Sequence, residues 1–289
     1  CQTVKFSTII NKLTKINFYH NVSESTLAKF CDILTVHEGY QGQRFFTTKH
    51  FKKVTHCLFD LDGTVLDSEI MYHKMIKQIC EKYGRKYTKE LRIRMYGVTD
   101  REICLTVVKE LKMPISADEF EMQLGDLAKK VLPAAPLQKG AERLLTHLHD
   151  YKIPMALATN STEQAVRLHA TARPRLFGLF NHKVCASDPD VDRGKPHPDI
   201  YLVAANRFPE KPKPIQCLVF EDSACGVEAA TAAGMQVVMI PDPRLDREQT
   251  RHATLVIRSL MDFQPELFGL PPFDEKPERR EMRDASPTK

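Results

Sequence analysis

Residues 60–64 read Asp60-Leu61-Asp62-Gly63-Thr64 and directly follow the β-prone run Val54–Phe59. Alternation at the end of a strand sends Asp60 and Asp62 to one side. Two carboxylates held together are costly unless positive charge joins them. Mg2+, a hard cation that takes oxygen ligands, meets that need, and Gly63 permits the sharp turn that follows. The plain alternative is a turn carrying two solvated acids. Thr159-Asn160-Ser161 follows a second apolar run, Ile153–Ala158. A hydroxyl with backbone N–H groups at a helix start can hold a phosphate oxygen, though Thr and Ser also cap helices where no ligand binds. Lys195 lies in Gly194-Lys195-Pro196-His197-Pro198-Asp199. The residue before a proline is driven to extended geometry and Pro suits a first helical turn, so Lys195 projects from a stiff loop at a helix entrance. His197 has no evident partner and is read as structural. Glu221-Asp222 offers a second acidic pair after the run Cys217–Phe220; alone it is acid favoured by a helix dipole.

Each of these groups follows an apolar run, so the elements that position them matter. Val54–Phe59, Ile153–Ala158, Lys183–Ala186, Cys217–Phe220, Val237–Ile240 and Thr254–Ile257 read as strands. Gly140–His149, Thr162–Thr171, Pro196–Arg207 and Ser223–Ala233 read as helices between them, with Gly234 at a C-terminal left-handed position. Alternation of short apolar strands with helices predicts an α/β fold: a doubly wound parallel sheet with a Rossmann-like core. Ligands of such sheets bind outside the carboxyl ends of the strands, where all four acidic, hydroxyl and lysine groups fall. Between the first strand and the rest, Ile70, Met71, Met75, Ile79 and Cys80, then Ile103, Val107, Val108 and Leu111, recur at helical spacing. Residues 68–137 are therefore expected to be an inserted α-helical cap, and residues 54–67 with 138–270 the core.

The ends differ in kind. Residues 1–53 hold eight basic and three acidic groups of the chain's 42 and 37, leaving 34 of each elsewhere. That basic extension is expected to be disordered apart from a possible helix near Leu27–Leu34, and its composition also fits a transit peptide. Residues 271–289 are nearly devoid of apolar groups and are expected to be a disordered tail. A neutral body excludes a dedicated nucleic-acid or membrane-surface binder, and no run of 18 uncharged apolar residues exists to span a membrane. The eight cysteines contain no Cys-x-x-Cys spacing, which gives no zinc or redox pair. They point to a reducing, cytoplasmic setting, or to mitochondria if residues 1–53 are a leader. There is no GxxxxGK[ST] and no GxGxxG, so nucleoside-triphosphate and dinucleotide sites are not expected.

In order, DLDGT, ATNS, GKPHPD and FEDSACGVEAATAAGM resemble the four motifs of the haloacid dehalogenase-like hydrolases over residues 54–270. The insert is similar to the small helical cap of the branch that holds phosphoglycolate phosphatases and β-phosphoglucomutases. Within it, KGAERLLTHLHDYKIPMALATNS and CLVFEDSACGVEAATAAGMQVVMIPDPRL are similar to phosphatases of pseudouridine 5'-phosphate. Leu61 and Thr64 stand where that group has DMDGL, and Lys139 where it has Pro.

The resemblance implies a Mg2+-dependent phosphatase acting on a small phosphorylated metabolite. Asp60 would be the nucleophile and Asp62 the general acid and base. Lys195 would neutralise charge, and Thr159 and Asn160 would hold the phosphoryl oxygens. Mg2+ would be bound by Asp60, Asp62 through its carbonyl, Asp222 and, indirectly, Glu221. The loop between two cap helices places Gly97, Thr99 and Arg101 as substrate-binding residues. A nucleotide, a single-chain enzyme and no nucleic-acid or membrane partner are the expectations. A sugar-phosphate mutase is the runner-up; its cap His would fall twelve residues after Asp60, where this chain has Tyr72 with His73 beside it. A non-catalytic phosphate binder would lack one of Asp60, Asp62, Lys195 or Asp222, and none is missing.

Overall fold

The computed structural model describes residues 34–38, 44–48, 51–95, 97–242 and 245–273. The chain divides into two units, Cys1–Phe51 and Lys52–Lys289. In the first, β1 (Leu34–Glu38) and β2 (Arg44–Thr48) pair antiparallel, with Leu34 opposite Thr48. Val36, Phe45 and Phe46, β-formers by type, lie within this pairing. The possible helix near Leu27 lies outside the described residues.

In the second unit, β3 (His56–Phe59) leads into a run of helices: α1 (Glu69–Lys82), α2 (Lys89–Arg94), α3 (Asp100–Glu110) and α4 (Ala117–Val131). Then α5 (Ala141–Asp150), β4 (Met155–Thr159), α6 (Glu163–Ala172), α7 (Pro174–Phe177) and β5 (His182–Cys185) build one side. The chain returns through α8 (Asp199–Asn206), β6 (Cys217–Glu221), α9 (Ala224–Ala232), β7 (Gln236–Met239) and β8 (Leu255–Val256). The six strands run in the order β5-β4-β3-β6-β7-β8. Every pairing is parallel. The expected doubly wound α/β core is therefore observed.

Burial explains why these segments are strands. All residues of β3, β4, β6 and β7 are buried, as a sheet covered on both faces requires. Leu58 belongs to one apolar cluster with Val219, Ile200 and Tyr201. Its neighbour Phe59 stacks on Phe220, ring centroids 4.6 Å apart, and Phe220 meets Phe263 edge-on. The cap has its own apolar centre, including Met75, Ile79, Cys104, Val107, Phe120 and Leu124, and Ala165 of α6 joins it to the core. Thr99 and Ser116 start α3 and α4 with reciprocal capping boxes to Glu102 and Glu119.

The edges of the second unit differ slightly from expectation. The Lys52 N–H donates to Gln236 Oε1 at 2.8 Å and its carbonyl accepts from Gln236 Nε2, so ordered core begins before Val54. At the other end the Pro271 carbonyl lies 2.9 Å from His147 Nε2, and the Arg143 guanidinium sits 3.8 Å from the Phe273 ring centroid. Residues 271–273 thus belong to the fold, not to a tail, because Phe273 finds aromatic and cationic partners.

A chain beginning at Phe51 should retain the melting temperature of the full chain within about 2 °C, since the whole six-stranded sheet and its apolar clusters lie in the second unit. Calorimetry on the two lengths checks this. A drop beyond about 5 °C would show that residues 1–50 pack on the second unit.

Candidate active site

The strand order turns at β3: the chain winds outward through β4 and β5, then returns to the other flank of β3 through β6. Such a reversal opens a crevice at the carboxyl ends of the central strands. Asp60 follows β3, Thr159 ends β4, and Glu221 ends β6 with Asp222 next. The Asp60 N–H donates to the Phe220 carbonyl at 3.0 Å, which ties the first acidic turn to β6.

Lys195 is the centre of the charge arrangement. Its Nζ lies 2.6 Å from Asp60 Oδ1 and 2.7 Å from Glu221 Oε1, with its side chain 1% exposed. Asn160 fixes the loop that delivers it, accepting from Lys195 N–H at 2.9 Å and donating to its carbonyl. Glu221 is fully buried. Tyr201 Oη also donates to Oε1, and the Ser223 hydroxyl and N–H reach Oε2. Both oxygens are thus occupied, and Glu221 acts as a positioning residue for Lys195.

Asp60, Glu221 and Asp222 form a buried acidic group whose ligand atoms lie within 4.8 Å of one another. Burial pushes the Asp60 carboxyl up to about 7; Lys195 pulls it down, and Glu221 and Asp62 push it further up. Asp222 is held well above the usual carboxylate range by burial, then by Asp60, Glu69 and Glu221. Burial works against the charge of Lys195, but Asp60 and Glu221 more than offset it and hold the amine above the lysine range. Asp222 therefore remains with no cation of its own, as Lys195 is engaged by its neighbours. The turn brings Asp222 against the first motif: at Gly63, φ +92°, an added Cβ would fall 1.9 Å from Asp222 Oδ2. Two hard oxygen donors, raised for want of positive charge, fit a divalent cation.

Asp62 is held on both oxygens. The Ser161 hydroxyl donates to Oδ2 at 2.5 Å and the Ser68 hydroxyl to Oδ1. His169, fully buried, approaches Oδ1 at 3.9 Å. Ser161 and Ser68 are site residues that sequence reasoning missed. Ser161 sat inside the Thr-Asn-Ser motif and could have been found there; nothing local marks Ser68.

The expected substrate residues are redistributed. Thr159 lines the pocket beside Asp60, and its hydroxyl accepts from Ser161 N–H at 3.1 Å. Asn160, although it lines the same pocket, commits its amide to Lys195 and to the Gly97 carbonyl, 2.8 Å away. Gly97 is thus a cap-to-core contact, and a Cβ there would fall 2.6 Å from Ser223 Oγ. Thr99 spends its hydroxyl on the capping box with Glu102. Arg101 ion-pairs with Asp118 and Glu121 at 2.6 and 2.7 Å, on the exposed side of the cap. Neither Thr99 nor Arg101 lines the pocket; an open polar loop in sequence gives no sign that its groups pair locally. The cap wall is instead Glu69, Tyr72, His73, Ile76, Met95, Val98, Asp100 and Ile103.

A family model described as haloacid dehalogenase-like hydrolase matches residues 57–240. The chain belongs to the haloacid dehalogenase-like hydrolases. A probable pseudouridine-5'-phosphatase of Drosophila melanogaster is 49% identical over 228 residues, 78% of this chain and 99% of its own length. The (DL)-glycerol-3-phosphatase 2 of Arabidopsis thaliana is 40% identical over 225 residues, covering 77% and 94%. Among solved structures, CbbY from Rhodobacter sphaeroides in complex with phosphate superposes with a TM-score of 0.63 at 20% identity, over 72% of this chain and 96% of that one. A beta-phosphoglucomutase homologue from Thermotoga maritima gives 0.58 at 26%, over 74% and 97%.

Replacing Lys195 with Met leaves Asp60 and Glu221 buried without their cation. Breaking such a pair costs about 3–5 kcal/mol while the partners are ionised. Because Asp60 titrates near 7, the loss should be largest at pH 8 and smaller at pH 5, where Asp60 is already protonated. Urea unfolding of both proteins at the two pH values measures this; an equal loss at both would mean that packing, not charge, is what Lys195 supplies.

Proposed function

We propose that this phosphatase hydrolyses a small phosphate monoester by way of an aspartyl-phosphate, with Mg2+ bound and pseudouridine 5'-phosphate as the preferred substrate. The observation that supports it is the convergence of Asp60, Asp62, Lys195 and Asp222 at the switch point of the sheet. An Asp60 oxygen attacks phosphorus as the bond to the leaving oxygen breaks, giving an acyl phosphate. Asp62 gives its proton to that leaving oxygen, then takes one from the water that attacks phosphorus in the second step. Ser68 and Ser161 keep Asp62 aimed through both steps. Lys195 lowers the cost of bringing a phosphoryl dianion to Asp60. Thr159, at the carboxyl end of β4, lines the pocket beside Asp60 and would hold a phosphoryl oxygen. Asp60, Asp222 and the Asp62 carbonyl would hold Mg2+, which supplies further positive charge for the transferring group.

The substrate reading rests on the cap. Ile76, Met95, Val98 and Ile103 offer apolar contact for the faces of a ring, and Glu69, Tyr72, His73 and Asp100 offer partners for its polar edge. The fly relative's name points the same way. The Arabidopsis relative favours a second reading, a glycerol or sugar phosphate, on the same machinery. Six described cysteines are free thiols, and no helix of the described residues is long and apolar enough to cross a membrane. We place the enzyme in the cytoplasm as a monomer on the reading of its cysteines and neutral body.

Asp60→Asn should fold and lose turnover by at least about 1000-fold, as loss of a nucleophile does. Phosphate release over pseudouridine 5'-phosphate, uridine 5'-phosphate, glycerol 3-phosphate and fructose 1-phosphate should rank the first highest in kcat/KM. A faster hexose or glycerol phosphate rejects the nucleotide assignment. The raised Asp60 carboxyl also sets a pH dependence. A native pKa near 7 lies above the unfolded value, so the metal-free fold binds that proton more tightly. It loses stability as pH rises from about 4 to about 7. Protons compete with Mg2+ below about pH 7, so millimolar Mg2+ should raise Tm more at pH 8 than at pH 6. A larger shift at pH 6, or full activity in excess EDTA, would refute the metal assignment.

A further inference from the structure

The wall that faces the leaving group is acidic. Glu69 on α1 and Asp100 at the start of α3 line the pocket opposite the catalytic groups. A second narrow cavity continues from it between α4 and α6, sharing Tyr72 and Asp100 and adding Glu121, Thr162 and Gln164. Among the described residues, no Lys or Arg lines either space. Three basic groups lie near them, and of these Arg92 has its Nε and Nη2 buried without a hydrogen-bond partner among the described residues. Arg101 is paired with Asp118 and Glu121. Arg92 on α2 opposes Glu69 more weakly than burial, Asp62 and Asp60 act on it. His73 lies 3.4 Å from Glu69 through Nε2, while its Nδ1 is 3.2 Å from Tyr87 Oη. The Tyr72 hydroxyl, on a residue 7% exposed, makes no hydrogen bond of good geometry among the described residues. It stands between the two spaces as an available donor and acceptor.

We propose that Asp100, with Glu69, makes the cap a charge filter: phosphate monoesters whose leaving group is neutral and rich in O–H or N–H donors are accepted, and those with a second phosphate or carboxylate are turned away. This rests on the phosphatase reading and adds to it the class of leaving group. Burial above all, and then the charge of Asp62, hold the Asp100 carboxyl up at about 7; a second anion brought into this space meets the charge of Asp62 and further loss of water, with no lysine or arginine among the described lining residues to offset either. A neutral polyol or nucleoside instead offers donors that these carboxylates and Tyr72 can accept. A substrate with two anionic ends needs a cation beneath the cap for the distal one, and the lining has none. The filter therefore also separates this chain from enzymes that carry bisphosphates.

Glycerol 3-phosphate and 3-phosphoglycerate share a three-carbon frame and differ in a hydroxymethyl against a carboxylate. The wild-type enzyme should favour the neutral ester in kcat/KM by about 100-fold, and Asp100→Asn should cut that ratio about tenfold, the scale of one charge contact at close range. Asn keeps the first helical position of α3 and its cap; Glu69→Gln gives a second, independent reduction. Binding of the same two esters to Asp60→Asn, by calorimetry, reads the preference without turnover. A wild-type ratio near one, or ratios that neither substitution moves, overturns the filter. Absence of phosphate release from every ester, p-nitrophenyl phosphate included, would instead refute the phosphatase reading, and the calorimetric preference would then decide the filter alone.

Discussion

One buried amine decides whether this site can exist. Asp60, Glu221 and Asp222 lie together where water is scarce, and their mutual repulsion is relieved inside the protein by the Nζ of Lys195. A buried ion pair is poor as a source of stability and strict as a constraint, since desolvation nearly cancels the attraction but loss of one partner strands the other. The surroundings follow from that constraint. Tyr201 and Ser223 exist in this geometry to hold Glu221, Glu221 to hold Lys195, and Gly226 has no side chain because a Cβ would lie 1.8 Å from Glu221 Oε1. The parallel sheet is what brings these groups together: no other arrangement places three strand ends, distant in sequence, in adjacent positions of one crevice.

The positive charge is insufficient by design of the fold. Burial, and then the neighbouring carboxyls that one amine does not offset, keep Asp60 and Asp222 raised. The donors this leaves at Asp60 and Asp222 are hard oxygens, the kind a divalent cation takes. Preorganisation of this kind places the reacting carboxylate correctly before substrate arrives, which is where phosphoryl-transfer enzymes obtain most of their acceleration.

Strand identity and the four motifs were legible in the sequence because both are local: apolar runs of four to six residues punctuated by acids, Thr or Gly. β4, predicted over Ile153–Ala158, is Met155–Thr159, and α9, predicted over Ser223–Ala233, is Ala224–Ala232. The cap was legible as helices but not as a wall. Glu69, Tyr72, His73 and Asp100 come from two helices whose faces are set by tertiary packing, and period alone does not say which polar positions turn inward. Thr99 and Arg101 show the same dependence on tertiary packing. Their local partners, Glu102, Asp118 and Glu121, satisfy them within the cap. Asn160 shows a subtler limit: its motif was recognised, but an amide that can hold phosphate can equally hold a loop, and only coordinates reveal which.

That amide links the two halves of the enzyme. Asn160 binds both backbone groups of Lys195 and, with the same side-chain nitrogen, the carbonyl of Gly97 in the cap. Gly194 adjoins the same contact, since a Cβ there would meet Asn160 Oδ1 at 2.7 Å and the Thr99 methyl at 3.1 Å. Lifting the cap would remove the Gly97 acceptor and leave the Lys195 bonds in place. The closed position is therefore registered at the residue that fixes the neutralising amine, while the charge arrangement of the core does not depend on closure. Core and cap are thus distinct in construction: the Lys195 arrangement is made within the core, and the wall opposite it is made by the cap.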